Sequence, residues 1–152
     1  MLKKALGRIW KLLSPRMRAR LVRSTQTSFT VSAAAIITND KGKVLLLNHV
    51  LRPDSGWGYP GGFLGKGEQA QDAIRREILE ETGIELADLK LSNIHTSGSG
   101  THLEIVFTAR PVGEPEVRSR EITELGWFSA EELPSELPLP QQERIRKALS
   151  EA

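Results

Sequence analysis

Glu77, Glu80 and Glu81 are spaced i, i+3 and i+4, so on a helix their carboxylates fall on one face, within reach of a single divalent ion. Three like charges at that spacing repel, and the cluster is costly unless a cation neutralises it. Carboxylate oxygens are hard ligands and select magnesium, manganese or calcium over zinc or copper. An acidic helix face that is merely solvated is the alternative, but such a face needs neither an arginine nor a glycine-rich loop beside it. Arg76 can fork onto a carboxylate, Glu68 being the one a turn or two earlier, and so fix the start of the helix. Gly61 and Gly62 admit close approach of backbone to metal or phosphate, and the Gly61 carbonyl is a further candidate oxygen ligand.

These groups need a rigid helix under them. The stretch from Gln69 to Thr82 reads as that helix, closed by Gly83, with Ile74 and Ile78 on an adjacent stripe that anchors it to a sheet. Before it, Phe29 to Thr38 and Val44 to Val50 read as strands around the turn signal Asp40-Lys41-Gly42. A loop with Arg52, Pro53, Asp54 and Gly56 follows, then Trp57 to Phe63, whose glycines and proline argue against a regular element. Leu89 to Ile94, Leu103 to Ala109 and Thr123 to Phe128 are further strands; Ala130 to Leu133 and Gln141 to Ser150 read as helical. Short antiparallel connections alongside one long crossover imply a mixed sheet in an α/β sandwich.

With 152 residues, 39% of them hydrophobic, the chain has material for one sizeable core. It has no cysteine, which excludes disulfides, thiolate metal sites and a cysteine nucleophile. Its three histidines are scattered without metal-ligand spacing, and no apolar run approaches the ~20 residues of a bilayer span. A soluble, cytoplasmic protein is the expectation. The net charge of +2 conceals an asymmetry: residues 1 to 39 carry eight basic groups and no acid, leaving 13 basic against 19 acidic in the remainder, a net of −6. In that basic segment Leu2, Leu6, Ile9 and Leu13 recur at helical spacing beside Trp10, and Ser14-Pro15 caps a second short helix reaching about Val22. Residues 1 to 24 thus form an amphipathic helical arm, and 25 to 152 the main domain. The arm's stripe would pack on the domain or on a second subunit of a homodimer. Contact of residues 1 to 23 with an anionic membrane or RNA phosphates, and a transit peptide, are the other readings.

From Gly62 to Ile84 the chain resembles the Nudix box, G-x5-E-x7-R-E-U-x-E-E-x-G-U with U a bulky aliphatic. Gly62, Glu68, Arg76, Glu77, Ile78, Glu80, Glu81, Gly83 and Ile84 fill its nine fixed positions. Pro60-Gly61-Gly62 before it, and Glu121 to Phe128 with Glu131 to Pro134 after it, extend the resemblance from about Phe29 to the C-terminus; the arm lies outside it. The resemblance implies an α/β/α sandwich that hydrolyses the diphosphate of a nucleoside diphosphate linked to a moiety X. Glu77, Glu80 and Glu81 would hold one to three Mg2+ or Mn2+ ions that activate water for attack at phosphorus. The general base is either a box glutamate or a later one, Glu121 first among these. Arg52, Trp57, Tyr59 and Phe63 are candidates for stacking on a base or touching phosphate. The alternatives are a pyrophosphohydrolase of RNA 5′ ends that uses the basic arm, or a non-catalytic nucleotide sensor. Tyr59 is the only tyrosine, so the downstream tyrosine of diadenosine polyphosphate hydrolases has no counterpart. The proline of many ADP-ribose hydrolases, the coenzyme A pattern and the cysteine of isopentenyl diphosphate isomerases are missing as well.

Overall fold

The structure, a computed structural model, describes residues 2–52, 56–97 and 100–150, so Pro53 and Asp54 lie outside the described residues. Two compact units divide the chain, Met1–Thr30 and Val31–Ala152. The first holds two helices, α1 (Leu2–Leu12) and α2 (Pro15–Thr25). Ser14 caps α2 by accepting from the Met17 amide at 3.3 Å, and Pro15 sits in the first turn, where its missing amide costs nothing.

The second unit runs β1 (Thr30–Ile37), β2 (Val44–His49), β3 (Trp57–Gly58), β4 (Gly61–Phe63), α3 (Ala70–Thr82), β5 (Glu85–Ser97), β6 (His102–Val112), β7 (Ile122–Phe128) and α4 (Leu139–Ser150). One sheet has the order β4-β1-β6-β5 and the other β3-β2-β7. β4 and β5 pair antiparallel with β1 and β6. β1 and β6 run parallel, since Ser32 meets His102 at 2.9 Å at one end and the Thr38 amide donates to the Ala109 carbonyl at the other. The expected mixed sheet is therefore present.

β1 explains the layering. Its residues from Ser32 to Ile37 are all buried, as a central strand covered on both faces must be. Ala33, Ala35 and Ile37 point to one core with Leu45, Leu47, Phe107 and the α3 residues Ala73, Ile74 and Ile78. Ala34 and Ile36 point to the other, with Val44, Leu46, Val106 and Ile145 of α4. Period-2 alternation thus feeds two cores, α3 over one and α4 over the other, which makes the α/β/α sandwich.

Two expectations are corrected. Trp57 to Phe63 is not irregular: β3 and β4 are short strands that borrow their ladders from β2 and β1, with Gly58 opposite Leu47 and Gly61 opposite Ala34. Such pairing partners are remote in sequence, so local composition could not show them. Ala130 to Leu133 is no helix; one turn, closed by the Glu132 amide on the Ser129 carbonyl, is all that forms before Pro134. Elsewhere only boundaries move: α4 begins at Leu139, α2 ends at Thr25, and β5 and β6 are longer.

Because Ile78 is fully buried beneath α3 while its neighbour Leu79 is about half exposed, truncation should separate them. Ile78→Ala should cost about 3 kcal/mol in urea unfolding and Leu79→Ala under about 1 kcal/mol; equal losses would contradict the assigned helix face.

Candidate active site

α3 positions the glutamates. Its last turn ends at Gly83, whose φ of 75° is left-handed and whose amide donates to the Leu79 carbonyl at 3.0 Å. From the middle of α3 Arg76 reaches back past the start of the helix: Nε donates to Glu68 Oε1 at 2.8 Å and Nη2 to Glu68 Oε2 at 3.0 Å, a bidentate fork. The Gly65 amide adds a third bond to Glu68 Oε2 at 2.7 Å. Arg76 Nη1 donates to Glu77 Oε1 at 2.8 Å and to Glu80 Oε2 at 3.4 Å, and Nη2 to the Phe63 carbonyl at 3.3 Å. One guanidinium therefore ties the loop, β4 and two of the three clustered glutamates together. The hydrogen bonds from Arg76, then that from Gly65, hold the Glu68 carboxyl down at about 2.

Glu81 differs from the other two. It is 7% exposed, and its Oε2 is buried without a hydrogen-bond partner among the described residues. Burial pushes its carboxyl up to about 8, the Glu77 charge adds to this, Arg52 opposes it, and Glu121 and Glu80 raise it further. Glu121 thus stands close enough to be felt by Glu81, at the threshold of β7. Glu77 and Glu80 are drawn onto Arg76 while Glu81 lies buried. Among the described residues no three acidic or histidine side chains are gathered tightly enough to grip one cation in this arrangement. The tighter convergence expected from helical spacing is corrected accordingly: the arginine competes for two of the carboxylates. The donor set itself is all hard oxygen, and the orphaned buried oxygen of Glu81 is a group a divalent ion would satisfy, so the residues fit such an ion.

The two glycines have different reasons. A Cβ on Gly61 would lie 2.5 Å from the Ala33 carbonyl oxygen, so this glycine lets β4 close on β1. A Cβ on Gly62 would lie 2.2 Å from the Glu77 carboxyl carbon, so this one makes room for the acid. Close approach at Gly61 is thus to a strand.

A cavity of about 230 Å3 opens beside the glycines, lined among others by Arg52, Tyr59, Gly62, Phe63, Glu104 and Gln141. Arg52 is brought in through Gly58, where a Cβ would strike its Nη1 at 1.5 Å; its Nη2 donates to the Tyr59 carbonyl at 3.0 Å and its Nη1 is buried without a partner. Burial lowers its pKa, with Glu81 and Glu104 opposing. Tyr59 is buried, its hydroxyl donating to Glu104 Oε2 at 2.9 Å. Phe63 is exposed and stands edge-on to His102 at 5.5 Å. Trp57 is not brought to the cavity: it packs edge-on against Phe128 at 5.1 Å, on the α4 side. The sequence does not single out Glu104, His102, Ser32 or Gln141 as site residues, since an acid between Leu103 and Ile105 is ordinary strand alternation and only the folded register brings these four to one cavity. A larger cleft of about 510 Å3 between β5, β6 and α4 contains none of the expected residues.

Fold and site together define a hydrolase scaffold of the phosphoanhydride-cleaving kind: an α/β/α sandwich with a glutamate-bearing helix against a glycine strand. The NUDIX domain model matches residues 28–151, and the chain belongs to the Nudix family, as a pyrophosphohydrolase. It is 29% identical over 124 residues to a MutT-like protein of Streptomyces ambofaciens, covering 81% of this chain and 79% of that one. It is 30% identical over 108 residues to the 8-oxo-dGDP phosphatase NUDT18 of Mus musculus, covering 68% of this chain but 33% of that protein. With the NAD-capped RNA hydrolase NudC of Pseudomonas syringae pv. syringae it shares 29% over 129 residues, 80% of this chain and 44% of the relative, so it spans under half of either of the last two. The crystal structure of a MutT Nudix hydrolase from Burkholderia pseudomallei superposes with a TM-score of 0.69 at 31% identity, covering 77% of this chain and 95% of that one.

The low Glu68 carboxyl has a pH consequence. Its folded pKa lies below the unfolded value of 4.5, so its stabilising contribution is present above 4.5 and is lost as pH falls through about 2. Glu68→Gln should lower the melting temperature at neutral pH and flatten its fall between pH 4.5 and 2; an unchanged acid slope would contradict the fork. His49 gives a second window. Burial first, then Arg52, lowers it from 6.5 to about 4, so protonation is disfavoured in the fold and stability falls as pH drops from 6.5 toward 4. His49→Gln should remove that part of the slope, read from melting temperatures across the same range.

Proposed function

We propose that the chain cleaves the diphosphate linkage of a small nucleoside diphosphate-X substrate by attack of water at phosphorus, among cytoplasmic nucleotides. The observation that carries this is the adjacency of three features: the glutamates of α3, the glycine strand β4, and the cavity holding Arg52. Glu77, Glu80 and Glu81 would hold Mg2+ or Mn2+, which when bound offsets phosphate charge and makes a bound water acidic enough to attack. Arg52, buried with one unpartnered Nη1, is suited to donate to a phosphate oxygen in the cavity. Glu121 is the candidate base that accepts the proton of the attacking water, since it is near enough to influence Glu81. Phe63 offers an exposed ring at the cavity wall on which a base can stack, with Tyr59 fixing the floor through Glu104. Gly62 and the Arg76–Glu68 fork keep this arrangement in place.

The similarity to NUDT18 supports an oxidised purine nucleoside diphosphate as one substrate to test, and that to NudC supports a capped RNA 5′ end as another. The deciding experiment is phosphate or nucleotide release, with Mg2+ or Mn2+, across nucleoside di- and triphosphates, their oxidised forms, dinucleotides and capped RNA. One substrate preferred at least ~100-fold in kcat/KM over the rest identifies X; no release on any of them by folded protein would favour the sensor reading. Glu80 is more than half exposed on its side chain, so Glu80→Gln should leave the melting temperature within a few degrees while lowering kcat at least ~100-fold. Near wild-type turnover at saturating Mg2+ would remove Glu80 from the site.

A further inference from the structure

The hydrolytic chemistry makes no use of the unit Met1–Thr30, and this unit is built with care. Arg18 turns back from α2, Nε donating to the Leu13 carbonyl and Nη2 to the Lys11 carbonyl, each at 2.9 Å, so it caps the end of α1 and fixes the corner between the helices. Six of the seven remaining basic residues fall at regular helical spacing. Lys4, Arg8 and Lys11 follow i, i+4 and i+7 along α1, and Arg16, Arg20 and Arg23 repeat the same spacing along α2. Ile9 and Leu12 are 57% and 86% exposed on α1, Met17 and Leu21 are 53% and 48% exposed on α2, and Trp10 and Val22 are exposed as well. Large apolar side chains gathered in water on so short a segment mark a surface made to be covered.

The occupant follows from charge and chemistry. The arm of a second copy is disfavoured, because residues 1 to 39 hold eight basic groups and no acid, so two arms brought face to face would repel. RNA would be met by phosphate-binding cations and by aromatic rings, yet Trp10 is the only aromatic residue before Phe29, and exposed leucine, isoleucine, methionine and valine gain nothing from phosphates. A bilayer of anionic lipid satisfies both kinds of side chain: headgroups meet the lysines and arginines, while the apolar residues and Trp10 enter the boundary with the acyl chains. Each helix has 11 residues, far short of the ~20 that span a bilayer, so both would lie in the plane of the surface. We infer that α1 and α2 form a peripheral anchor for an anionic lipid surface.

The test is sedimentation of the full chain with vesicles of phosphatidylcholine alone and of phosphatidylcholine with about 30% phosphatidylglycerol. Binding to the anionic vesicles is expected, weakened by salt, with little to the neutral ones. Replacing Arg16, Arg20 and Arg23 by alanine should weaken partitioning roughly 100-fold, each basic residue near such a surface being worth about a factor of five. Ile9→Gln with Leu12→Gln keeps every positive charge and should also release the protein, which electrostatic attraction alone would not predict. Binding should shift the tryptophan emission to the blue, and Trp10→Phe should abolish the shift while Trp57 and Trp127 remain. Hydrolase turnover serves as the folding control and should be unchanged in all these variants. No sedimentation with anionic vesicles, equal binding to neutral ones, or full binding by the glutamine variant would each overturn the anchor; tight binding of a 5′-phosphorylated RNA without vesicle binding would reassign the arm to RNA.

Discussion

Arg76 is the group on which the site depends. Its planar fork occupies both oxygens of Glu68 and still has donors for Glu77, Glu80 and the Phe63 carbonyl. A lysine, with one compact ammonium, could not reach in these directions at once. The arginine side chain is over a third exposed, and exposed pairs of this kind contribute at most about 1 kcal/mol each. Its importance is therefore geometric: it fixes which way the acidic residues of α3 face, and it joins the β4 strand and the loop before the helix to that face.

The stability that keeps α3 in place comes from elsewhere. Ile74 and Ile78 are fully buried against β1, β2 and β6, and burial of such side chains contributes about 1.5–3 kcal/mol apiece. The hydrophobic stripe of the helix therefore supports the acidic one, a quarter turn or so away. The same division shapes β1, whose alternate residues serve two cores while its edge partner β4 brings Gly62 against Glu77. Burial that stabilises the fold and acids that repel one another share one helix, and they meet at Glu81, which is itself buried.

Much of this was legible in the sequence because it is local. Helical spacing placed Glu77, Glu80 and Glu81 on one face, Gly83 marked the end of α3, and the apolar runs on either side of Asp40-Lys41-Gly42 marked β1 and β2. What escaped depends on contacts between distant residues. β3 and β4 exist only because β2 and β1 lend them hydrogen-bond ladders. Gly61 spares the backbone of β1 and Gly62 spares a carboxylate, a difference invisible in the dipeptide itself. Glu104, Gln141 and Ser32 reach the cavity from three separate elements. Trp57, by contrast, is spent on Phe128, as a large ring beside a core often is.

The central claim is that the oxygens of Glu77, Glu80 and Glu81, beside Gly62, take up a divalent ion. Titrating 15N-labelled protein with Mn2+ addresses this without reference to turnover, since a bound paramagnetic ion broadens the nearest amide signals. Selective broadening at Gly61, Gly62 and Glu77 to Glu81, reversed by excess Mg2+, is expected. Broadening that spares these residues, or that centres on the cleft of Lys90 and Arg110, would contradict it.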